Sequence, residues 1–289
     1  MMRRLVGALL VLLALSMLPA SAARGAARDP RLAHVRTWSF AAGDGALTGS
    51  LRARYAPFDL VVLDGEAASA AQVALLRGRG KIVLAYVSIG TIERYRSWYA
   101  AAAPYRLDYW GDWGEWYADT SRSGYRDLMA GRVSPALLAK GFDGLFLDNT
   151  DMIAAHPHQR AGMVQLVHAL ATLVHRRHGF LFAQNGEDAI GPMLPDLDGW
   201  NREDVTSTYD VGRHAYNRVP TDDSRSAQQA LRDIRGAGLL VTAIDYTRAG
   251  DAAVIAASVR NACLAGALPY VSDINLTRVP ARAYRCPST

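Results

Sequence analysis

The sequence predicts a single-domain (β/α)8 TIM barrel, and three observations support that prediction. Eight short apolar runs recur along the chain, helix-like segments separate most of them, and the length of 289 residues suits one large domain. Eight parallel strands joined by crossover helices close into a barrel of ~250 residues. Half of the residues are hydrophobic and a fifth are charged, which is the composition of a folded chain with a large core.

The first 23 residues have the layout of a secretory signal peptide. Arg3 and Arg4 precede the apolar run 5–18, and small residues follow that run. The run is shorter than the ~18 to 20 residues that span a bilayer. We therefore expect residues 1–23 to be removed on export and residues 24–289 to form a secreted barrel with no membrane anchor. An uncleaved N-terminal anchor is the alternative.

The eight predicted strands are short continuous apolar runs, as is typical of parallel strands that are buried on both faces. They span residues 35–40, 58–63, 81–87, 144–147, 180–183, 197–200, 239–244 and 268–271.

Four predicted helices lie between these runs, and their apolar residues recur at steps of three and four. They span 67–79, 163–178, 224–235 and 252–264. Two intervals deviate, because 88–143 holds a long insertion and only a short helix around 186–195 fits between the fifth and sixth runs. An open doubly wound sheet is the alternative, but the dinucleotide and Walker glycine motifs are missing from the sequence.

Charge and cysteine content argue against several classes of function. The net charge of +5 includes the two leader arginines, and the others are scattered without a basic stripe, so we expect no nucleic-acid partner. Cys263 and Cys286 are too few for a disulfide framework or a four-thiolate zinc site. Export would permit one bridge between them. We expect no metal, no cofactor and a monomeric chain.

Polar side chains follow most of the apolar runs at their carboxyl ends, where barrel enzymes place their reactive groups. Each one alone is explained by turn chemistry, since Asp and Asn favour turns. Together at one rim, these like charges would repel one another unless a ligand or counter-ion answered them. The segments are 64–66, 88–90, 148–151, 184–187, 201–204, 245–246 and 272–273.

A ring of carboxylates without a cysteine or G-x-S-x-G serine nucleophile suits the cleavage of a glycosidic bond. In that reaction one acid protonates the leaving oxygen, and a second carboxylate stabilises or attacks the anomeric carbon. Metal-assisted hydrolysis is the rival interpretation. The histidines weaken it, because they lie in a loop or on a helix that should be peripheral: His156, His158, His168, His175 and His178.

The insertion contains a cluster of aromatic residues. These rings either form the small core of a long loop or provide a flat apolar surface on which sugars stack, and both interpretations can hold together. The cluster consists of Tyr109, Trp110, Trp113, Trp116 and Tyr117.

Several motifs spread along almost the whole of residues 24–289 are specific as a set. They are 85–90 (AYVSIG) with Glu93, Tyr95 and Arg96, then 113–116 (WGEW), 141–151 (GFDGLFLDNTD), 184–187 (QNGE), 201–204 (NRED) and 245–247 (DYT). In this order they resemble glycoside hydrolase family 114, the endo-α-1,4-polygalactosaminidase type of (β/α)8 barrel.

The resemblance implies a role for individual residues. Asp148 would be the catalytic nucleophile and Glu203 the general acid/base. For Glu203 to act as an acid, its pKa has to lie above that of Asp148. The sugar subsite would be lined by Asp64, Tyr86, Asn185, Asp245 and Tyr246.

The resemblance also implies an endo-acting hydrolase of α-1,4-linked galactosamine polymers. Such polymers are polycations near neutral pH, so a ring of carboxylates would attract them. A non-catalytic carbohydrate-binding barrel and a hydrolase of another glycan are the alternatives. Retention or inversion at the anomeric carbon stays open, with retention favoured by the resemblance.

Overall fold

The computed structural model describes residues 29–43 and 45–287, and its central sheet is the barrel that the sequence predicts. Eight parallel strands pair in chain order, and each overlaps its predicted run. The expected signal peptide at 1–23 lies outside the described residues. The strands are β1 (Trp38–Ala41), β2 (Leu60–Asp64), β3 (Ile82–Ser88), β4 (Gly144–Asp148), β5 (Phe180–Gln184), β6 (Gly199–Glu203), β7 (Leu240–Tyr246) and β8 (Leu268–Ser272).

The first and last strands approach each other and nearly close the ring. The indole Nε1 of Trp38 on β1 donates to the carbonyl oxygen of Leu268 on β8 at 2.8 Å. The rings of Trp38 and Tyr270 pack with their centroids 5.6 Å apart. Because all eight strands are parallel, their carboxyl ends share one rim, and the polar residues that end or follow them lie there.

Aromatic rings fill part of the interior of the barrel. Trp38, Phe40 and Phe146 are almost fully buried, and the rings of Phe40 and Phe146 pack with their centroids 5.0 Å apart. Tyr86 extends this cluster toward the rim, 5.5 Å from Phe40. The barrel is therefore a packed core and not a pore, which leaves the carboxyl-end rim as the place for chemistry.

The helices between the strands confirm the predicted alternation. Those that were predicted are Ala70–Arg77, Arg160–His175, Thr221–Gly236 and Ala252–Leu264, and a 3₁₀-helix at Gly191–Asp196 fills the short interval before β6. The helix Ala70–Arg77 begins at a capping box, in which Ser69 and Gln72 exchange side-chain to backbone hydrogen bonds. Shorter helical segments are Pro30–Ala33, Leu51–Arg54, Ala103–Tyr105, Thr150–Ile153 and Pro157–Gln159.

The insertion between β3 and β4 folds into elements that the sequence analysis does not predict. Thr91–Ile92, Arg106–Trp110 and Glu115–Ala118 form a three-stranded antiparallel sheet, called here the rim sheet, with Glu115–Ala118 in the middle. A continuous helical stretch then leads to β4. It consists of Ser123–Leu128, the π-helical turn Met129–Val133 and Ser134–Ala139.

A second antiparallel hairpin, also not predicted, follows β6 and pairs Ser207–Asp210 with Ala215–Arg218. Beyond β8, a disulfide between Cys263 and Cys286 ties the C-terminal tail to the helix Ala252–Leu264. Within residues 29–43 and 45–287, no helix has the length and hydrophobicity needed to span a membrane.

Candidate active site

Two carboxylates lie at the carboxyl-end rim of the barrel, on strands that are separated by one strand. Asp148 is the last residue of β4 and Glu203 is the last residue of β6. The residue after each has a left-handed backbone, with φ of 57° at Asn149 and 55° at Asp204. Asn and Asp adopt this region more readily than other non-glycine residues. The chain therefore turns away directly after each carboxylate and leaves it at the strand end.

The position of Asn149 depends on a glycine in the loop after β3. A Cβ atom on Gly90 would lie 1.8 Å from the carbonyl oxygen of Asn149, which is well inside any tolerated contact. Glycine at position 90 therefore allows the loops after β3 and β4 to pack together beside Asp148.

Asp148 accepts hydrogen bonds from three uncharged donors. The hydroxyl of Tyr86 donates to Oδ2 at 2.7 Å, and the side-chain amide of Gln184 donates to Oδ1 at 2.9 Å. The backbone N–H of Asn149 also donates to Oδ1, at 2.7 Å. These donors stabilise the ionised form of the carboxyl without neutralising it. Asp148 is thus held in one orientation with its charge available.

Glu203 is held between β5 and β7. The side-chain amide of Asn185 donates to Oε2 at 2.7 Å, and the hydroxyl of Tyr246 donates to Oε1. The Oδ1 atom of Asn185 accepts the backbone N–H of Glu203 at 3.0 Å, so the two residues bind each other reciprocally. Tyr86, Asn185 and Tyr246, which the resemblance assigns to the sugar subsite, therefore contact the two carboxylates directly.

A buried chain of polar side chains runs beneath Asp148 across the barrel. The carbonyl oxygen of the Gln184 side chain accepts from Asn201 at 2.7 Å, and Asn201 in turn accepts from the hydroxyl of Thr242 at 2.8 Å. This chain directs the NH2 group of Gln184 toward Asp148. In the sequence, Gln184 and Asn201 stand out only as members of the motifs 184–187 and 201–204. The feature that could have identified them is a polar residue within a buried strand or at its end.

Burial raises the pKa of both Asp148 and Glu203. The charge of Glu203 raises the pKa of Asp148 further, and the charge of Asp204 does the same to Glu203. The expected order, with the pKa of Glu203 above that of Asp148, stays a prediction. Two adjacent carboxyls, Asp151 and Asp204, have pKa values raised to about 6, mainly by burial.

Neither Asp148 nor Glu203 forms an ion pair with any residue in the described part of the chain. Arg202, the arginine beside Glu203, binds Glu187 at 2.9 Å through Nε. Its Nη1 atom donates to the backbone carbonyl of Glu203 at 2.6 Å, leaving the carboxylate free of it.

Asp64 lies in a buried ion-pair cluster, which the sequence analysis does not anticipate. Its Oδ2 accepts from Arg96 at 2.7 Å, and Oδ1 accepts the backbone N–H groups of Glu66 and Ala67. Arg96 also binds Glu93 through two hydrogen bonds of 2.5 and 2.7 Å. Asp64 thus shares the charge of Arg96 with Glu93, and its predicted contact with sugar stays a prediction.

The carboxylate of Asp245 is buried and binds backbone N–H groups. Only 2% of its surface is exposed, and its Oδ1 accepts the N–H groups of Thr206 at 2.7 Å and Ser207 at 3.1 Å. This carboxylate positions the segment that follows Glu203. A direct contact between Asp245 and the sugar stays a prediction.

A cleft of about 890 Å³, called here the rim cleft, opens beside Asp148. Tyr86 is the link, because it lines the cleft and donates its hydroxyl to Asp148. The volume is within the ~300 to 1,000 Å³ of sites that bind small molecules. The other charged and aromatic residues that line the cleft are Asp64, Glu66, Glu93, Tyr95, Arg96, Trp113 and Glu115.

A second cavity, of about 730 Å³, lies at the amino ends of the strands. Two of its charged side chains form ion pairs, Arg31 with Asp29 and Arg77 with Asp143, both at 2.8 Å. In parallel barrels this end serves stability, so the candidate active site is the carboxyl-end rim.

The packing of the aromatic cluster supports one of the two interpretations that the sequence left open, the small core of a long loop. Trp110 stacks on Tyr117 with their centroids 5.3 Å apart, and Trp113 packs edge-on against Trp110 at 6.2 Å. These rings form the apolar centre of the rim sheet. Trp113 nevertheless remains 44% exposed and lines the rim cleft, and stacking of a sugar on it stays a prediction.

Three of the histidines pack against an aromatic ring or bind a single carboxylate. His156 packs on Tyr117 at 4.6 Å, and the surface residues His168 and His175 bind Asp196 and Asp198. In the described part of the chain, no group of three or more His, Cys, Asp or Glu side chains is arranged to hold a metal ion.

Glu115, at the start of the middle strand of the rim sheet, is a candidate that the sequence analysis missed. Its Oε2 accepts the hydroxyl of Thr91 at 2.7 Å. Burial, and secondly the charge of Glu93, raises the pKa of Glu115 to about 7. Its only sequence signal was its place between two tryptophans, in the motif Trp113-Gly114-Glu115-Trp116.

Comparison with known proteins agrees with this architecture. The glycoside hydrolase domain of PelA from Pseudomonas aeruginosa is 22% identical with a TM-score of 0.70, covering 84% of this chain and 96% of that one. Ega3 from Aspergillus fumigatus, solved in complex with galactosamine, is 18% identical with a TM-score of 0.67, covering 87% of this chain and 95% of that one. A protein of Deinococcus radiodurans is 29% identical over 276 residues, which is 87% of this chain and 85% of its own.

The resemblance found in the motifs is confirmed at the level of the family. The match to Glycoside-hydrolase family GH114 extends over residues 19–286, which includes every barrel strand and both carboxylates. The chain therefore belongs to glycoside hydrolase family GH114 and is a glycoside hydrolase.

Proposed function

We propose that this chain is a secreted, endo-acting hydrolase of α-1,4-linked galactosamine polysaccharides, with Asp148 as nucleophile and Glu203 as general acid/base. One observation carries the proposal. Two part-buried carboxyls at one barrel rim act on each other electrostatically and are held only by uncharged donors, and Tyr86, which binds Asp148, lines an acidic cleft. Glycosidases use a carboxyl pair in such a setting, with burial keeping the acid protonated.

The reaction proceeds in two balanced steps. In the first, a carboxylate oxygen of Asp148 forms a bond to the anomeric carbon while the glycosidic C–O bond breaks, and Glu203 gives its proton to the leaving oxygen. In the second, Glu203 takes a proton from water, the water oxygen attacks the anomeric carbon, and Asp148 is released. The configuration is retained, and the two carboxyl groups of such enzymes are ~5 to 5.5 Å apart.

The contacts of the two residues suit these roles. Asp148 is oriented from both sides by Tyr86 and Gln184, which fixes the direction of attack. The pKa of Glu203 is raised by burial and by the charge of Asp204, which favours its protonated form before the first step.

The acidic character of the rim cleft supports a cationic substrate. Four carboxylates and one guanidinium line it: Asp64, Glu66, Glu93, Glu115 and Arg96. This imbalance attracts the ammonium groups of a de-N-acetylated chain. That Ega3 was solved with galactosamine agrees with this substrate class.

Secretion is proposed from the leader at 1–23 and from the disulfide between Cys263 and Cys286. Disulfides persist in oxidising compartments outside the cytosol. N-terminal sequencing of protein collected from the culture medium tests this step, and an intact N-terminus at Met1 would contradict it.

The test of the function is incubation of residues 24–289 with α-1,4-polygalactosamine, followed by mass spectrometry of released oligosaccharides. We expect a ladder of oligosaccharides, no release by Asp148→Asn, and slower release as salt shortens the Debye length below ~8 to 10 Å. Equal turnover of neutral and amine-bearing polymers with no effect of salt would overturn the proposed substrate.

A further inference from the structure

We propose that Glu115 is the residue that selects sugars with a free amine, binding the ammonium group of a sugar unit held in the rim cleft. The inference rests on the proposed function and adds to it the residue that distinguishes galactosamine from its N-acetylated form.

The first support is the hydrogen bonding of the four carboxylates in the cleft. Asp64 and Glu93 have both oxygens occupied, chiefly by Arg96. Glu66 has its two oxygens on the backbone N–H and the hydroxyl of Ser97, at 3.1 and 2.5 Å. Glu115 differs, because only Oε2 has a donor, Thr91. Among the residues that the structure describes, none donates a hydrogen bond to its Oε1.

The second support is the surroundings of that free oxygen. Glu115 lines the cleft together with Trp113 and Tyr95, whose side chains are 44% and 70% exposed. An aromatic face packs against the apolar C–H face of a pyranose, and a carboxylate at its edge binds the amine. A partly buried carboxylate without a partner is costly, so pairing with an ammonium group is favourable there.

The third support is the connection to the bond that is cut. The hydroxyl of Thr91, which holds Glu115, lies 3.1 Å from Nδ2 of Asn149. The backbone N–H of Asn149 donates to Asp148. Glu115 and the nucleophile are therefore joined through two residues, and the charge of Asp148 acts on Glu115.

An N-acetyl group at this position removes the positive charge and adds bulk. The acetylated sugar leaves Glu115 unpaired in the cleft, which penalises its binding. A free amine is therefore preferred at this subsite.

The test compares Glu115→Gln with the wild type on two α-1,4-galactosamine oligosaccharides of equal length, one de-N-acetylated and one N-acetylated. The glutamine oxygen still accepts the hydroxyl of Thr91, so the rim sheet keeps this hydrogen bond. Asp112→Asn is the matched control, because Asp112 is an exposed carboxylate in the same hairpin that does not line the cleft.

We expect Glu115→Gln to raise the KM for the de-N-acetylated substrate by about tenfold, as loss of a charge-assisted contact predicts. Its kcat should change by less than about threefold, the KM for the acetylated substrate should not rise, and Asp112→Asn should match the wild type. Unchanged selectivity in Glu115→Gln, or an equal rise in KM for both substrates, would overturn the inference.

The same experiment separates failure of the proposed function from failure of the inference about Glu115. A wild type that cleaves neither oligosaccharide contradicts the proposed function. In that case calorimetric titration of the de-N-acetylated oligosaccharide into wild type and Glu115→Gln still decides the inference. Tighter binding to the wild type supports it, and equal or absent binding overturns it.

Discussion

Tyr86 joins the rim cleft to the candidate nucleophile, because its ring lines the cleft and its hydroxyl donates to Oδ2 of Asp148 at 2.7 Å. The hydroxyl of Tyr246 likewise donates a hydrogen bond to Oε1 of Glu203. Each carboxyl therefore has one tyrosine hydroxyl as a donor, and the two tyrosines can be removed separately.

The tyrosine pair predicts shifts in different limbs of the pH profile. Tyr86→Phe removes a donor to ionised Asp148, so the pKa of Asp148 rises and the acid limb of kcat/KM moves to higher pH. Tyr246→Phe raises the pKa of Glu203 in the same way, so the alkaline limb moves to higher pH. A shift of about one pH unit is expected for each, since a hydrogen bond to a charged group contributes ~1.5 to 3 kcal/mol.

Profiles of kcat/KM from pH 4 to 9 for both variants measure these shifts. The limbs report the carboxyl pair as a coupled system, so the comparison between variants is the informative quantity. A shift of the same limb in both variants would contradict the separate roles of Asp148 and Glu203.

Asp204→Asn predicts a shift in the other direction. The charge of Asp204 is the largest cause, after burial, that raises the pKa of Glu203. Asparagine tolerates the left-handed backbone of this position, where φ is 55°. Removing the charge lowers the pKa of Glu203, so the alkaline limb of kcat/KM should move to lower pH. An unchanged limb in a folded variant would show that Glu203 does not titrate in that limb.

Asp148→Asn predicts a gain in stability that depends on pH. The pKa of Asp148 is raised in the folded state, so the folded chain holds this proton more tightly than the unfolded chain. That contribution is present at low pH and is lost as pH rises through the raised pKa. The amide does not titrate. We therefore expect the variant to be more stable than the wild type by about 1 to 3 kcal/mol at pH 8, and by less at pH 5.

Thermal unfolding at both pH values measures this effect. Glu66→Gln is a suitable comparison, because Glu66 is a cleft carboxylate that binds Ser97 and lies outside the carboxyl pair. A stability difference for Asp148→Asn that is the same at pH 5 and pH 8 would contradict the assigned cause.

The disulfide predicts an effect on stability without one on the reaction. Cys263 and Cys286 are separated by 23 residues and hold the tail against the outer helix, away from the two carboxylates. The Cys263→Ser, Cys286→Ser double variant should lose about 2 to 4 kcal/mol of unfolding free energy. Its kcat should match the wild type at 25 °C. Chemical denaturation and initial rates measure the two quantities, and a large loss of kcat in a folded variant would contradict this placement.

The barrel could be predicted from the sequence because its strands are buried on both faces and appear as continuous apolar runs. The rim sheet could not. Its strands Arg106–Trp110 and Glu115–Ala118 are short, lie near the surface, and pack their aromatic rings on one another. Hydrophobic periodicity carries little information for such elements.

The candidate site was predictable in its two central carboxylates and less so in the residues around them. Asp148 directly follows the apolar run 144–147, whereas Glu203 lies three residues after the run 197–200 and was singled out by the family resemblance. The partners of Asp64 and Asp245 are distant in sequence, with Arg96 32 residues from Asp64 and Thr206 39 residues from Asp245. Whether a carboxylate faces a ligand or a protein donor depends on such contacts, which no local pattern contains.

The turnover number of Glu203→Gln on α-1,4-polygalactosamine, measured beside Asp148→Asn and the wild type, tests whether this carboxyl pair cuts the glycosidic bond. Circular dichroism and thermal unfolding establish that both variants are folded. We expect each amide to lower kcat by at least about a thousandfold, because each removes a group that the reaction needs. A folded Glu203→Gln enzyme with near-normal turnover would contradict it.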